Sequence, residues 1–263
     1  MDPPLNSEFV ALDNFRRSGG ENFQNTCFIA VVANLRHVHP QVMSYVQDHT
    51  WTSFVRHCRS LRDENDALIF SARDGNGQHD ATLLLGQIIP ADPMKSGYGV
   101  QIQKIKVLFC CKDSTPSEEF QAMLPLLFPT EIREYRLGEL LDDYQEPEHL
   151  FDLECDFCLK KGEGTFTRNI HTGLNGKMVL RIGRYSPAGK RNDRLILDPV
   201  IWSKDESCYR LEAILEHSGS TISNGHYIIY LLINGHWEKR NDAVQTFFDE
   251  TGGPLRYKPS NVQ

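Results

Sequence analysis

The sequence predicts an α+β fold, because helical periodicity marks its first part while strand alternation and a tight hairpin mark its last. After Cys27, Phe28, Val31, Val32 and Leu35 recur at the spacing of one helix face, with Asn25 or Thr26 available as the N-cap. In YRLEAILEH, Tyr209, Leu211, Ala213 and Leu215 alternate with Arg210, Glu212 and Glu216, which is the period of a half-buried strand, and Ile214 is the exception. The run HYIIYLLI meets Asn234-Gly235 and then HWEKR, so residues 226 to 240 are expected to form a hairpin whose two turn residues take positive φ.

The remaining elements follow the same rules. A second helix is expected from about Asp80, carrying Leu83 and Leu84, and a third over Glu118 to Leu127, with Pro125 disturbing its end. FVRHCRSL reads as helix, and MVLRIGRY at 178 to 185 as a strand. No repeat, low-complexity tract or linker divides the chain, so residues 1–263 are read as one domain. Its texture changes near residue 105: 1–105 is mainly helical, 106–250 mainly strands, and 251–263 a polar tail.

Composition excludes several classes. With 40% hydrophobic and 24% charged residues among 263, the chain has ordinary globular usage. Its 28 basic and 35 acidic residues give a net charge of −7, which disfavours nucleic acid and suits a partner with a basic face. The longest apolar stretch, YIIYLLI at 227 to 233, is far short of a membrane span. The start, MDPPLNSEFVALDNF, lacks a basic region followed by an apolar run, so the expected setting is the reducing cytoplasm or nucleus. Seven cysteines then read as thiols and possible metal ligands, with Cys58 and Cys208 as small packing residues.

A thiol attacks as its thiolate, and the unpaired N–H groups of a helix N-terminus favour that anion, so Cys27 has the predicted position of a nucleophile. The base that takes its proton, and later protonates a leaving amine, is work for one of the ten histidines. Cys58 is the rival thiol, but it sits within a helical pattern and no helix terminus lowers its pKa.

These residues carry a family resemblance. NFQNTCF at 22 to 28 resembles the cysteine box NxGNTCY of the ubiquitin-specific proteases, and SNGHYIIY with HWEKRNDA resembles their histidine box. QHDATLLL at 78 to 85 is similar to their QxDAxEFL segment, LRIGRY to the LxLKRF strand, and YRLEAILEHSG to the strand entering the histidine box. The order and approximate distances agree over most of the chain. The resemblance implies a papain-like cysteine protease fold with a helical thumb, an antiparallel-sheet palm and a short fingers region.

It also implies roles. Cys27 becomes the nucleophile and His226 the general base and acid, with Asn241 orienting the imidazole and Asp242 the competing candidate for that task. Asn22 falls on the oxyanion-hole position, where one donor is typically worth about 2.7 to 4 kcal/mol. The implied substrate is ubiquitin or a ubiquitinated protein, with Gln78, Asp80 and Tyr227 lining the channel for its C-terminal tail. From the residues alone, Asp80 is equally a good N-cap and Tyr227 a good strand residue. His217 takes a structural role in this reading, and His79 and His236 are bystanders.

The departures matter as well. Gln24 stands where the family has Gly, Ala30 and Val31 replace its usual Asn and Ser, and Leu83 replaces the Glu of the second segment. Many relatives bind zinc through two CxxC pairs; here Cys155 and Cys158 form one, whereas upstream Cys111 matches one ligand and Leu108 occupies the other. Adjacent Cys110 is expected to diverge in extended backbone, so a degenerate site without tightly bound zinc is expected. The leading reading is a thiol-dependent deubiquitinase, monomeric, with no cofactor, nucleic acid or membrane. The alternatives are a weak or inactive ubiquitin-binding module of the same fold, or an isopeptidase for another modifier such as SUMO.

Overall fold

The computed structural model describes residues 26–70, 79–89, 99–111, 113–131, 133–155, 157–172, 176–186, 189–191, 193–202, 208–221, 224–242 and 244–248. Asn22, Gln24, Asn25, Gln78 and the tail 251–263, all of which carry expectations from sequence, lie outside them. The chain forms two compact units: Met1–Ile88 with Tyr185–Asn192 and Arg210–Gln263, and Ile89–Arg184 with Asp193–Tyr209.

Helix α1 spans Cys27–Asn34 and buries Cys27, Phe28, Ile29, Val31, Val32 and Ala33, a broader apolar surface than the single predicted face. Thr26 is its N-cap residue, yet its side chain makes no cap; its carbonyl accepts from Ile29 and Ala30 N–H, both at 3.0 Å. A 3₁₀ turn, Leu35–His37, leads to α2, Pro40–Val46, which starts at a proline whose missing N–H is not needed there. α3, Trp51–Arg59, is capped by Thr50, whose Oγ1 accepts from Ser53 N–H at 3.3 Å. α4, Ala81–Ile88, buries Ala81, Leu84, Leu85 and Ile88 at helical spacing, whereas Leu83 faces solvent, 50% exposed.

The second unit holds an antiparallel sheet of β1 (Val100–Leu108), β2 (Asp113–Gln121), β3 (Glu148–Glu154) and β4 (Lys161–Thr172), in the order β2-β1-β4-β3. Residue 105 thus lies inside a strand. The helix expected over Glu118–Leu127 is corrected: Glu118–Gln121 complete β2, and Leu124–Leu127 pair in parallel with Leu180–Gly183. Pro125 explains part of the outcome. It falls inside the expected helix and disfavours it, while the alternation of buried Leu124 and Leu126 around exposed Pro125 suits a strand and the edge strand accepts Pro116. Non-local pairing with β1, including a Lys104–Glu119 ion pair across the strands, overrides the local helical pattern. Between β2 and β3 lies α5, Leu137–Gln145, which buries Leu137, Leu140 and Leu141 and whose Glu139 carboxylate accepts from Arg136 N–H at 3.2 Å. Its Leu spacing and first-turn Glu were the available signals for it.

The first unit carries the other large sheet, a meander of β5 (Ala213–Thr221), β6 (Asn224–Ile233), β7 (His236–Asn241) and β8 (Val244–Phe247). The strand predicted from Tyr209 is interrupted at Leu211 and Glu212, with Cys208–Arg210 a separate short strand. Asn234 and Gly235 turn β6 into β7 with φ of 51° and 83°, the positive values expected of this hairpin. Tyr227, Ile229 and Leu231 on β6 are buried, α1 packs against this strand, and the helix thereby covers one face of the sheet.

Gly235→Val places a β-branched side chain at a backbone conformation it rarely adopts, and should cost about 1–3 kcal/mol. A lowered urea midpoint at constant slope is the expected result, whereas an unshifted midpoint would contradict the assigned turn.

Candidate active site

Cys27 is the first residue of α1 and only 4% exposed. Its sulfur accepts hydrogen bonds from the backbone N–H groups of Tyr227 and Phe28, and the helix-start donors expected from sequence are therefore present. Their effect is outweighed. Burial pushes the Cys27 thiol above its ordinary value and the Asp242 carboxylate adds to the rise, so the expectation of a lowered pKa is corrected. The raised pKa favours the thiol over the thiolate, so attack requires that its proton be taken.

The donor from Tyr227 sits beside the histidine of interest. His226 and Tyr227 are consecutive on β6 and point to opposite faces of the sheet. Their difference in orientation separates their environments: Tyr227 is buried on the α1 side, while His226 Nε2 lies 2.6 Å from Asn241 Oδ1 at the end of β7. With the amide oxygen as acceptor, the neutral tautomer that makes this bond has its proton on Nε2 and its lone pair on Nδ1. Asp242 Oδ2 is 3.7 Å from the same nitrogen, beyond a normal hydrogen bond. Asp242 has φ of 52°, which turns the chain sharply after Asn241.

Beneath the pair, the backbone is held closely. Ser218 pairs with His226 and His217 with Tyr227, and a bulge follows between Ser218 and Thr221. A Cβ on Gly225 would lie 2.5 Å from Ser218 O and 2.6 Å from the His217 ring, so only glycine fits before His226. Lys190 Nζ donates to the carbonyls of His217 and Gly219 at 3.2 and 2.6 Å, tying a neighbouring segment to the bulged strand. His217 packs against Tyr227 with ring centroids 4.7 Å apart and the planes tilted by 46°, and burial lowers its pKa, with Lys190 acting in the same direction.

The other sequence candidates have defined places. Asp80 Oδ1 accepts from Thr82 N–H at 2.9 Å and so caps α4, while the side chain stays partly exposed. Tyr227 Oη accepts from Ala81 N–H at 3.3 Å, which links β6 to the same helix start. His79 packs edge-on to Phe28 and Phe70, with centroids 5.5 and 5.3 Å away, and burial lowers its pKa. His236 is exposed. Cys58 is fully buried and its thiol is pushed up to about 12, in keeping with packing rather than nucleophilic chemistry.

In the second unit, Cys110, Cys111, Cys155 and Cys158 bring their sulfurs within 4.8 Å of one another. The expected divergence of Cys110 is corrected, because Leu108 pairs with Asp113 and the chain turns between them. Adjacent side chains diverge in a strand but can converge in a turn. Facing them, Cys155 and Cys158 belong to a second tight turn, in which Cys155 N–H donates to Lys160 O and Leu159 N–H to Cys155 O. The N–H groups of Cys158 and Phe157 also donate to the Cys155 sulfur and hold its thiol at about 7. Tetrahedral zinc with Zn–S near 2.3 Å requires sulfurs about 3.8 Å apart. The Cys110–Cys158 separation of 3.7 Å meets that requirement and all the sulfurs lie within 4.8 Å, so the four thiols are gathered closely enough to be candidate ligands for the metal. Two strands flanking LFCCKDS were the sequence signal for a turn there.

Gly225→Ala should force the His217 ring or the Ser218 carbonyl aside at about 1–3 kcal/mol, read as a lower urea midpoint. A variant as stable as the parent would show that the close approach is not real.

Comparisons with known proteins complete the picture. A family model described as ubiquitin carboxyl-terminal hydrolase matches residues 93–251, more than half the chain, and this stretch includes His226 and Asn241. Ubiquitin carboxyl-terminal hydrolase 3 of Mus musculus is 24% identical over 184 residues, covering 58% of this chain and 35% of its own length. The chain thus spans about a third of that curated relative. A solved SAGA DUB module of Ubp8, Sgf11, Sus1 and Sgf73 bound to monoubiquitin is similar at a TM-score of 0.69 and 19% identity, over 90% of this chain and 66% of that one. A SAGA Ubp8/Sgf11/Sus1/Sgf73 DUB module bound to ubiquitin aldehyde is similar at 0.64 and 17% identity, over 95% and 68%. The fold is α+β and papain-like, as in the ubiquitin-specific proteases, and the chain belongs to the ubiquitin carboxyl-terminal hydrolase family.

Proposed function

We propose that the chain is a thiol-dependent deubiquitinase that hydrolyses the bond joining the C-terminal glycine of ubiquitin to an amine. The observation that carries this reading is the 2.6 Å contact of His226 Nε2 with Asn241 Oδ1, next to Tyr227, whose N–H acts as a donor toward the buried Cys27 sulfur. His226, held through Nε2 by Asn241 at 2.6 Å, has Nδ1 as its proton acceptor. In the reaction Nδ1 takes the Cys27 proton while sulfur attacks the glycine carbonyl carbon. The tetrahedral adduct collapses as the same proton passes to the departing lysine amine, leaving a thioester on Cys27. Water, deprotonated by His226, then attacks the thioester carbonyl; the C–S bond breaks, the Cys27 sulfur takes the proton back from His226, and ubiquitin leaves with a free carboxylate.

The other assignments belong to the same proposal. Asn22 donates to the oxyanion, Gln78 and Asp80 meet the tail, and Tyr227 walls the channel. The anchoring of the Tyr227 hydroxyl by Ala81 N–H supports a rigid wall. Asp80 is partly exposed, which leaves its carboxyl group accessible to an approaching basic tail. Cys110, Cys111, Cys155 and Cys158 would hold a structural zinc ion, which would cross-link the two turns and supply no chemistry to the hydrolysis.

One observation favours the weaker alternative, a ubiquitin-binding module with little turnover: the Cys27 thiol is raised by burial and by Asp242. Turnover separates the two readings. With a fluorogenic amide on the ubiquitin C-terminus, Cys27→Ala should abolish hydrolysis and His226→Ala should lower it roughly 10²–10⁴-fold. Asn241→Ala should cost less than His226→Ala. Undiminished turnover in His226→Ala would refute the assigned base, and faster hydrolysis of the SUMO or another modifier's derivative would reassign the substrate.

Metal analysis of purified protein should find close to one zinc per chain, lost together with stability in Cys155→Ser. Protein purified without chelator that is metal-free and equally stable would overturn the zinc assignment.

A further inference from the structure

The face of the β6–β7 hairpin that α1 covers carries a charged group where apolar packing is the rule. Arg240 pairs with Ile229 and Glu238 with Leu231, so both charged side chains point to the same face as those two fully buried residues. Their side chains are 11% and 5% exposed, and Arg240 Nε is ion-paired with Glu238. The guanidinium also reaches the far end of α1: Nη1 donates to Asn34 Oδ1 at 2.6 Å and to His37 Nε2 at 2.7 Å. Asn34 is itself fixed, since its Nδ2 donates to Ala30 O at 2.9 Å and thereby aims its oxygen at Arg240.

Stability alone does not account for this arrangement. A buried ion pair is commonly no better than well-packed apolar residues of the same volume, because desolvation offsets its attraction, whereas its hydrogen bonds are directional in a way that apolar contacts are not. The direction matters here because of what lies at either side. Asn241, next to Arg240 on β7, faces the other side of the sheet and holds His226. Cys27 is the first residue of the helix whose last residue is Asn34. Slipping α1 by one residue would move its sulfur by about 1.5 Å. A misplacement of about 1 Å in a reacting group can cost roughly a hundredfold in rate.

We infer that Arg240 is a positioning residue, which through Asn34 and His37 locks the strand carrying Asn241 to the helix carrying Cys27 and so sets the register of sulfur and imidazole. The inference rests on the proposed activity for its kinetic readout, so the experiment includes a second readout that needs no ubiquitin. Arg240→Met preserves the length and packing of the side chain and removes the fork. Its kcat on the ubiquitin C-terminal fluorogenic substrate should fall roughly 10- to 100-fold with KM within about twofold. The rate of Cys27 alkylation by iodoacetamide, followed by mass spectrometry of the Cys27 peptide, should fall in parallel. Arg240→Lys should rescue little, because an ammonium cannot meet Asn34, His37 and Glu238 together. Asn34→Ala should lower kcat similarly, and the double variant should lose less than the product of the two single effects.

Folded Arg240→Met with parental kcat and alkylation rate would overturn the inference, as would independent effects of the two substitutions. Should Arg240→Met fail to fold, Asn34→Ala decides by the same two rates. A chain that never hydrolyses the ubiquitin substrate, yet shows the alkylation differences, would sink the proposed activity and leave the positioning role standing.

Discussion

The arrangement depends on one close approach, that of the first turn of α1 to strand β6. The apolar surface that α1 buries and the buried Tyr227, Ile229 and Leu231 of β6 supply the attraction, and Tyr227 N–H acts as a donor toward the Cys27 sulfur. Everything at the site is arranged around it. The strand alternation that sends Tyr227 inward sends His226 outward to Asn241, so one residue of register separates the buried wall from the polar pair. The bulge after Ser218, the missing Cβ of Gly225 and the two carbonyls gripped by Lys190 hold that register.

The same approach sets the electrostatics in opposition. Helix-start N–H groups favour a thiolate, while burial and the Asp242 carboxylate favour the thiol, and the second pair wins. Such a sulfur is inert until its proton has somewhere to go. A histidine with its Nε2 proton committed to Asn241 offers an acceptor only through Nδ1, so the geometry of the imidazole governs when the thiol becomes nucleophilic.

How much of this was legible in the sequence followed from the range of the interactions involved. The Asn234-Gly235 hairpin, the Asp80-capped helix and the helix starting at Cys27 are local structures, and local residues specify them. Glu118–Leu127 misled because its helical spacing is local while its pairings with β1 and with Leu180–Gly183 come from elsewhere in the chain. Cys110 was misjudged for a related reason: its direction depends on a turn closed by Leu108 and Asp113, not on its immediate neighbours. Arg240 gave no sign of its burial, since a charge in an exposed-looking strand is ordinary until a helix end is found lying over it.

The central claim is that Cys27 is a nucleophile aimed at the C-terminal carbonyl of ubiquitin, and a ubiquitin bearing an electrophile in place of that carbonyl tests it without requiring turnover. Incubation with the native protein, followed by peptide mass spectrometry, should find one ubiquitin joined through the Cys27 sulfur. Reversible binding with no adduct, or an adduct on another cysteine, would contradict the account.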